Sequence, residues 1–280
     1  MLSFEMFHGL PRQGPGDTSS TLEALALVPG IGPETRVLDV GCGTGMQTRV
    51  LAQNSPARFV AIDNHAPFVD ELNRQAQTLG IADRLDARVG DMRRLDFPAG
   101  SFDVIWCEGA IYNMGFEAAL RDWRRLLVPG GHIAVTEACW MKTDPPPDCA
   151  AFWAQEYPAI RDASALLATI ARCGYKTVGH FSLPPSSWWD DYYRPLQENV
   201  TRFRERQLEE PDALELADQF QREIDMWHAY SEFYSYEFFV MRRGDRPRLR
   251  TFSEVNRHDT DSKSRRASRS TRDRRTSNRG

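Results

Sequence analysis

The stretch Val37-Leu38-Asp39-Val40-Gly41-Cys42-Gly43-Thr44-Gly45-Met46-Gln47 runs from an apolar strand into three glycines at alternate positions. Glycine adopts positive φ without strain and lets other groups approach the backbone. A helix opening near Met46 turns free N–H groups toward the loop. Outward from this loop, the chain from Thr35 to Trp140 alternates short apolar runs with helical periods. Strands are predicted at 36–40, 58–62, 85–89, 102–107 and 131–139, and helices at about 45–53, 66–79 and 116–127. The second helix aligns Phe68, Val69, Leu72, Ala76 and Leu79; the third aligns Phe116, Leu120, Trp123 and Leu127. Pro129-Gly130-Gly131 is expected to stop the third helix and turn the chain into its strand. Buried strands alternating with helices imply an α/β fold, a parallel sheet covered on both faces.

Beyond Trp140 a helix at 162–173, ended by Gly174, leads to a strand at 175–182. Simple alternation then ends. Pro184-Pro185-Ser186-Ser187-Trp188-Trp189-Asp190-Asp191-Tyr192-Tyr193 is a dense aromatic and acidic cluster, followed by charged helices at about 195–209 and 212–231. A last strand spans Tyr234 to Met241, so about 50 residues are inserted before it. The expected division is a lid segment and helix at 1–34, an α/β core at 35–183, a helical substrate lid at 184–233, a final strand at 234–242 and a disordered basic tail at 243–280.

The net charge of −4 conceals a split. Residues 242–280 hold fourteen Arg/Lys against five Asp/Glu, leaving 21 basic and 34 acidic residues in 1–241. An acidic body repels phosphate backbones, which argues against nucleic acid as its main partner. The Arg/Ser-rich tail has too little apolar surface to offset its ordering entropy. No apolar run approaches a bilayer span, and the N-terminal residues do not read as a signal peptide. Five cysteines, an odd number without a CxxC pair, read as reduced thiols of a cytoplasmic protein. No His/Cys/Asp cluster has metal spacing and no Ser-His-Asp arrangement is apparent.

Three ligands compete for the glycine loop. A triphosphate loop needs a lysine that is missing here. A dinucleotide loop needs GxGxxG, whose third glycine would stand at Met46. The remaining spacing resembles the first motif of class I S-adenosylmethionine-dependent methyltransferases. Gly90-Asp91-Met92, Ser101-Phe102-Asp103-Val104-Ile105-Trp106 and Leu126-Leu127-Val128-Pro129-Gly130-Gly131 resemble later elements of that family. Glu108-Gly109-Ala110-Ile111-Tyr112-Asn113-Met114-Gly115-Phe116, with Arg12-Gln13-Gly14-Pro15-Gly16, resembles a bacterial subgroup acting on small molecules. The resemblance implies a Rossmann-like, mostly parallel seven-stranded sheet with an antiparallel last strand and S-adenosylmethionine as cofactor.

Carried onto this chain, the resemblance implies cofactor contacts from Asp39, Gly41, Cys42, Gly43, Gly45 and Gln47 in and around the first motif. Asp63, with Asn64 beside it, ends the second strand where a carboxylate accepts from ribose hydroxyls, or caps the next helix. Asp91 would accept from the adenine amine while Met92 packs on the ring. Arg12, assisted by Gln13, can pair with the cofactor's carboxylate, and Glu108 with the cofactor or an acceptor. Glu108 and Tyr112 are the candidate catalytic pair, Glu108 being either a base or a loop cap. Asn113, Trp140, Trp188, Tyr192 and His8 are the candidate substrate contacts, the aromatics serving as a cap or as packing. The expected function is methyl transfer to a small molecule, without membrane association and with a homodimer left open. The rivals are a non-catalytic binder of S-adenosylmethionine or S-adenosylhomocysteine, and a nicotinamide-dependent oxidoreductase.

Overall fold

The computed structural model describes residues 2–207 and 210–244. The expected basic tail therefore lies outside the described residues beyond Gly244, as do residues 208–209 of the first charged helix. Strands β1 (Arg36–Val40), β2 (Arg58–Asp63), β3 (Leu85–Val89), β4 (Phe102–Cys107), β5 (Leu127–Trp140), β6 (Arg161–Asp162), β7 (Tyr175–Ser182) and β8 (Tyr234–Arg243) form one sheet. Its order is β3-β2-β1-β4-β5-β8-β7, with the two-residue β6 added beside β5. β8 runs antiparallel to both its neighbours, and the other pairings are parallel. This is a Rossmann-like sheet with an antiparallel late strand, as expected, except that the short β6 makes eight strands where seven were expected.

Side-chain alternation along the central strands feeds two cores. Val37 faces one, with Leu51 of α3 (Met46–Asn54) and Leu72 of α4 (Ala66–Thr78). Leu38 and Val40 face the other, with Leu120 and Trp123 of α5 (Phe116–Trp123) and Ile170 of α7 (Ala163–Arg172). Both faces of the central parallel strands β1 and β4 are therefore largely dry, whereas the edge strand β3 exposes alternate side chains.

The turn at Pro129–Gly131 departs from expectation. α5 ends at Trp123, and the Pro-Gly-Gly segment lies within β5, which begins at Leu127. Leu127 pairs with Phe102, and the register shifts before Val104 meets His132. Gly130, at φ 78, absorbs the irregularity, so the glycines bend a strand that has already started.

The N-terminal segment and the insertion lie on the same side of the sheet. α1 (Leu2–Met6) and α2 (Thr18–Ala26) flank the glycine-rich strap; α8 (Pro185–Trp188), a π-helical turn (Trp189–Tyr193), α9 (Arg194–Arg206) and α10 (Pro211–Tyr230) form the insertion. Asn199 donates to the carbonyls of Met6 and His8 at 2.9 Å each, and Phe7 packs edge-on against Phe220. The amide of Gly16 donates to the Ser187 carbonyl at 2.9 Å, and the Ser187 hydroxyl donates to Asp17.

A helix absent from the sequence reading, α6 (Pro147–Glu156), packs beneath α10. The aromatic cluster at 184–193, read without a secondary structure, is helical.

Candidate functional site

The parallel order reverses between β1 and β4, where their following loops diverge and leave a crevice at the carboxyl ends of the strands. A cavity of about 320 Å³ opens there. Its walls come from the first glycine loop, the ends of β2 and β3, the Glu108–Asn113 segment and the N-terminal strap. Of the expected cofactor contacts, Arg12, Gly41, Cys42, Gly43, Gln47, Asp63, Asn64, Asp91, Met92 and Glu108 line it, as do Tyr112 and Asn113.

Gly41 (φ 76) and Gly43 (φ 53) hold the left-handed conformation that the turn requires. A Cβ on Gly41 would run into Ala110, and one on Gly43 into the Gln13 carboxamide. Every amide from Gly41 to Gly45 already has a partner. Gly41 and Cys42 donate to the Ile62 carbonyl at 2.8 and 3.0 Å, and Gly45 donates to Cys42 at 2.9 Å. Gly43 donates to Asp63 at 2.9 Å, and Thr44 to Gln13 Oε1 at 2.8 Å. A pyrophosphate cradle needs such amides free. This loop shapes a wall for a ligand bearing no phosphate.

Asp63 thus serves the protein twice, since it also accepts from the amide of His65 at 2.9 Å as α4 begins. Holding the His65 amide and the predicted ribose position are compatible, because the same carboxylate lines the cavity. Asp91 accepts from Arg93 at 2.9 Å, and Arg93 donates to the Asn113 carbonyl at 2.7 Å, closing the rim beside Met92.

Two expected cofactor contacts lie elsewhere. Asp39 is fully buried beneath the loop, accepting from Thr48 Oγ1 at 2.5 Å and from Gln47 at 3.5 Å. Burial pushes its carboxyl up to about 7. It fixes α3 under the loop and does not reach the cavity. Gly45 begins α3 at φ 83 with Leu72 against its Cα, so it is required by helix packing.

Glu108 is placed at the cavity but is not free to act as a base. It accepts from Arg12 Nη1 at 2.8 Å, Thr21 Oγ1 at 2.9 Å and Trp106 Nε1 at 2.8 Å. Both partners of the ion pair are buried, at 4% and 3% side-chain exposure. The pair ties the strap across the crevice. Arg12 spends its other terminal nitrogen on Thr21 at 3.1 Å, while its buried Nε has no partner.

The expected aromatic cap is also corrected. Trp188 and Tyr192 are buried in the core, and Trp140 packs edge-on against Trp153. Trp188 donates to Ser235 at 3.1 Å, and the Tyr192 ring lies tilted against that of Tyr193, 4.8 Å between centres. Trp188 attaches the insertion to β8 through Tyr234 and Tyr236, because burying aromatic area there stabilises more than exposing it at a rim would. His8 is exposed and is not part of the cavity wall. The thiols of Cys42 and Cys107 are pushed well up by burial, which makes them small neutral packing groups.

Phe4, Phe7 and Arg93 line the cavity without having been singled out in the sequence, and Phe68, read there only as part of a helix face, lines it too. Phe4 stacks on His65 at 3.7 Å between ring centres, bringing α1 to the mouth. The i, i+3 spacing of Phe4 and Phe7 was the available signal. Among the described residues no group of three or more His, Cys, Asp or Glu side chains is placed to hold a metal.

Comparison with known proteins agrees with this geometry. A family described as "Methyltransferase domain" matches residues 37–131. Sterol 24-C-methyltransferase of Yarrowia lipolytica is 34% identical over 121 residues, covering 43% of this chain and 31% of that protein. Phosphoethanolamine N-methyltransferase 3 of Arabidopsis thaliana is 26% identical over 179 residues, covering 64% of this chain and 36% of that protein. The chain thus spans about a third of the length of these curated relatives.

The solved structure of an S-adenosylmethionine-dependent methyltransferase from Geobacter sulfurreducens, in complex with S-adenosylhomocysteine, is similar at a TM-score of 0.69. It is 26% identical, with 84% of this chain and 93% of that chain covered. Residues 37–131 match a methyltransferase domain, and the fold is similar to that of a solved S-adenosylmethionine-dependent methyltransferase; S-adenosylmethionine is the cofactor that this similarity implies. The residues fit that group. The cavity pairs glycines that tolerate no side chain with an acidic strand end, an apolar neighbour and an orphaned arginine nitrogen.

Proposed function

We propose that this chain transfers a methyl group from S-adenosylmethionine to an oxygen, nitrogen or sulfur nucleophile of a small molecule. The supporting observation is one cavity that joins the glycine loop, Asp63 and Asp91–Met92 to the Glu108–Asn113 segment under a tied-down strap. When bound, the cofactor supplies an activated methyl on a sulfonium with a good leaving group. The protein's task is then alignment and exclusion of water. In this reading Asp63 holds the ribose hydroxyls, Asp91 and Met92 the adenine, and Arg12 Nε a carboxylate oxygen. Tyr112 and Asn113 stand on the acceptor side. Glu108 positions the strap and so acts indirectly.

The two curated relatives carry names for methylation at carbon and at nitrogen, both on small molecules, which supports that substrate class. The acidic 1–241 segment disfavours nucleic acid. No helix among the described residues is long and apolar enough to cross a membrane. Five buried, unpaired cysteines support a cytoplasmic setting. The functional partition also belongs to this reading: 1–34 and 184–233 act together as the lid over the 35–183 core, whose sheet 234–242 completes. Transfer of labelled methyl from S-adenosylmethionine into a pool of small metabolites tests the proposal. Incorporation into an extractable product is expected; tight cofactor binding with no incorporation would favour the non-catalytic binder.

A further inference from the structure

The N-terminal segment walls the cavity in two parts that are held very differently. Beyond Gly9 the strap contributes Arg12, Gln13, Gly14 and Pro15. It is fixed by the buried Arg12–Glu108 pair and by the Thr44 amide on Gln13. Breaking a buried ion pair is costly, so this part stays in place. Before Gly9, residues 2–8 present Phe4 and Phe7 to the same cavity.

α1 has only five residues, well short of the dozen or so, about 12, that an isolated helix needs to persist in water. Its neighbours must therefore hold it. Phe4 stacks on His65, before α4, with ring centres 3.7 Å apart, and meets Phe68 edge-on at 5.8 Å. Phe7 meets Phe220 of α10 edge-on at 5.6 Å, and Met6 is buried.

The backbone on either side of Phe7 is fastened by one side chain. Asn199 Nδ2, on α9, donates to the carbonyls of Met6 and His8 at 2.9 Å each. Both hydrogens of the carboxamide are thereby used. Arg202 donates to the Asn199 Oδ1 at 3.2 Å, which sets the orientation of the amide. Asn199 itself is not part of the cavity wall.

A joint lies next to these bonds. Gly9 turns the chain at φ 73, and a Cβ there would meet nothing within 4 Å. Backbone conformation, and not packing, requires this glycine, and the open space around it leaves room for residues 2–8 to swing. Leu10, just beyond, is buried and marks where the anchored strap begins.

Building on the assignment of S-adenosylmethionine to this cavity, we propose that Asn199 is a positioning residue that latches residues 2–8 over the bound cofactor. Release of this latch sets the rate at which cofactor and product exchange. Asn199 acts through the backbone that carries Phe7. Because it touches no ligand, it stabilises the closed flap equally whether the cavity is empty or filled. Loosening it raises the open fraction of both states by one factor, so entry and exit accelerate together and affinity is preserved. A residue that contributed to affinity would instead change Kd, chiefly through the exit rate.

Surface plasmon resonance of the full chain with S-adenosylhomocysteine reads both rates. Asn199→Ala is expected to raise the association and dissociation rate constants alike, by at least about fivefold, for the loss of two hydrogen bonds. Kd should stay within about twofold of the wild type. Asn199→Asp keeps the size of the side chain but has no donor for the two carbonyls, and should reproduce the effect. It decides the matter alone if the alanine variant does not fold. Unchanged rates, or a faster exit with unchanged entry and a weakened Kd, would overturn the latch. Failure of the wild type to bind S-adenosylhomocysteine would remove the cofactor assignment, and the latch with it.

Discussion

Removing the Arg12 guanidinium, as in Arg12→Met, should leave Glu108 as a buried carboxylate with only Thr21 and Trp106 as donors. Both ion-pair partners are almost entirely excluded from water, so solvent does little to screen them. Breaking one side of such a pair costs about 3–5 kcal/mol, mostly the penalty of the charge left behind. The two surviving neutral donors place the expected loss for Arg12→Met near the lower bound, about 3 kcal/mol. Glu108→Gln leaves an uncompensated buried guanidinium and should cost a similar amount, about 3 kcal/mol.

The double variant carries neither charge. It should therefore be more stable than the sum of the single losses predicts, with a coupling of at least about 2 kcal/mol. Urea unfolding monitored by tryptophan fluorescence suits the measurement, since the Trp106 indole is itself a donor to Glu108. The same variants should weaken S-adenosylhomocysteine, because the strap also carries Gln13 onto Thr44. A coupling under about 0.5 kcal/mol would refute the claim that this pair fastens the strap.

Three other outcomes follow from the same geometry. Gly45→Ala combines a left-handed φ with a Cβ driven into Leu72, and should destabilise by about 2–4 kcal/mol. Gly43→Ala, which meets the movable end of Gln13, should cost less, about 1 kcal/mol, and chemical denaturation of the pair would show the order. Asp63→Asn should weaken S-adenosylhomocysteine by about 1–3 kcal/mol, and unchanged affinity in calorimetry would exclude the ribose role. Asp39, Glu137 and Glu223 are each raised to about 7, principally by burial. Folding then retains protons that the unfolded chain has released, so their contribution to stability declines as pH rises from about 4 to about 7. Asp39→Asn should flatten that slope in denaturant titrations, and an unaltered slope would show that Asp39 titrates normally.

The α/β core was legible because its signals are local. A strand ending in Asp39, glycines forced by positive φ and an acidic end to β2 are all written in short windows of sequence. The N-terminal strap was partly legible from Arg12 and Gln13, but their partners Glu108 and Thr44 are remote in sequence. For that reason Glu108 read as either a base or a loop cap, when the fold had committed it to Arg12. Trp188 and Tyr192 looked like a cap since a dense aromatic run carries no mark of which face it buries. Their neighbours, Ser235 and Tyr193, show them to be adhesive. Asn199 passed unnoticed because a single asparagine in a charged helix signals nothing until the carbonyls it meets are known.

The most direct test of the central claim is calorimetric titration of the purified chain with S-adenosylhomocysteine and, separately, with NAD. The cavity geometry predicts saturable binding of S-adenosylhomocysteine at one site per chain, abolished or strongly weakened by disruption of the glycine loop, and no heat with NAD. Tight binding of NAD together with indifference to S-adenosylhomocysteine would contradict it.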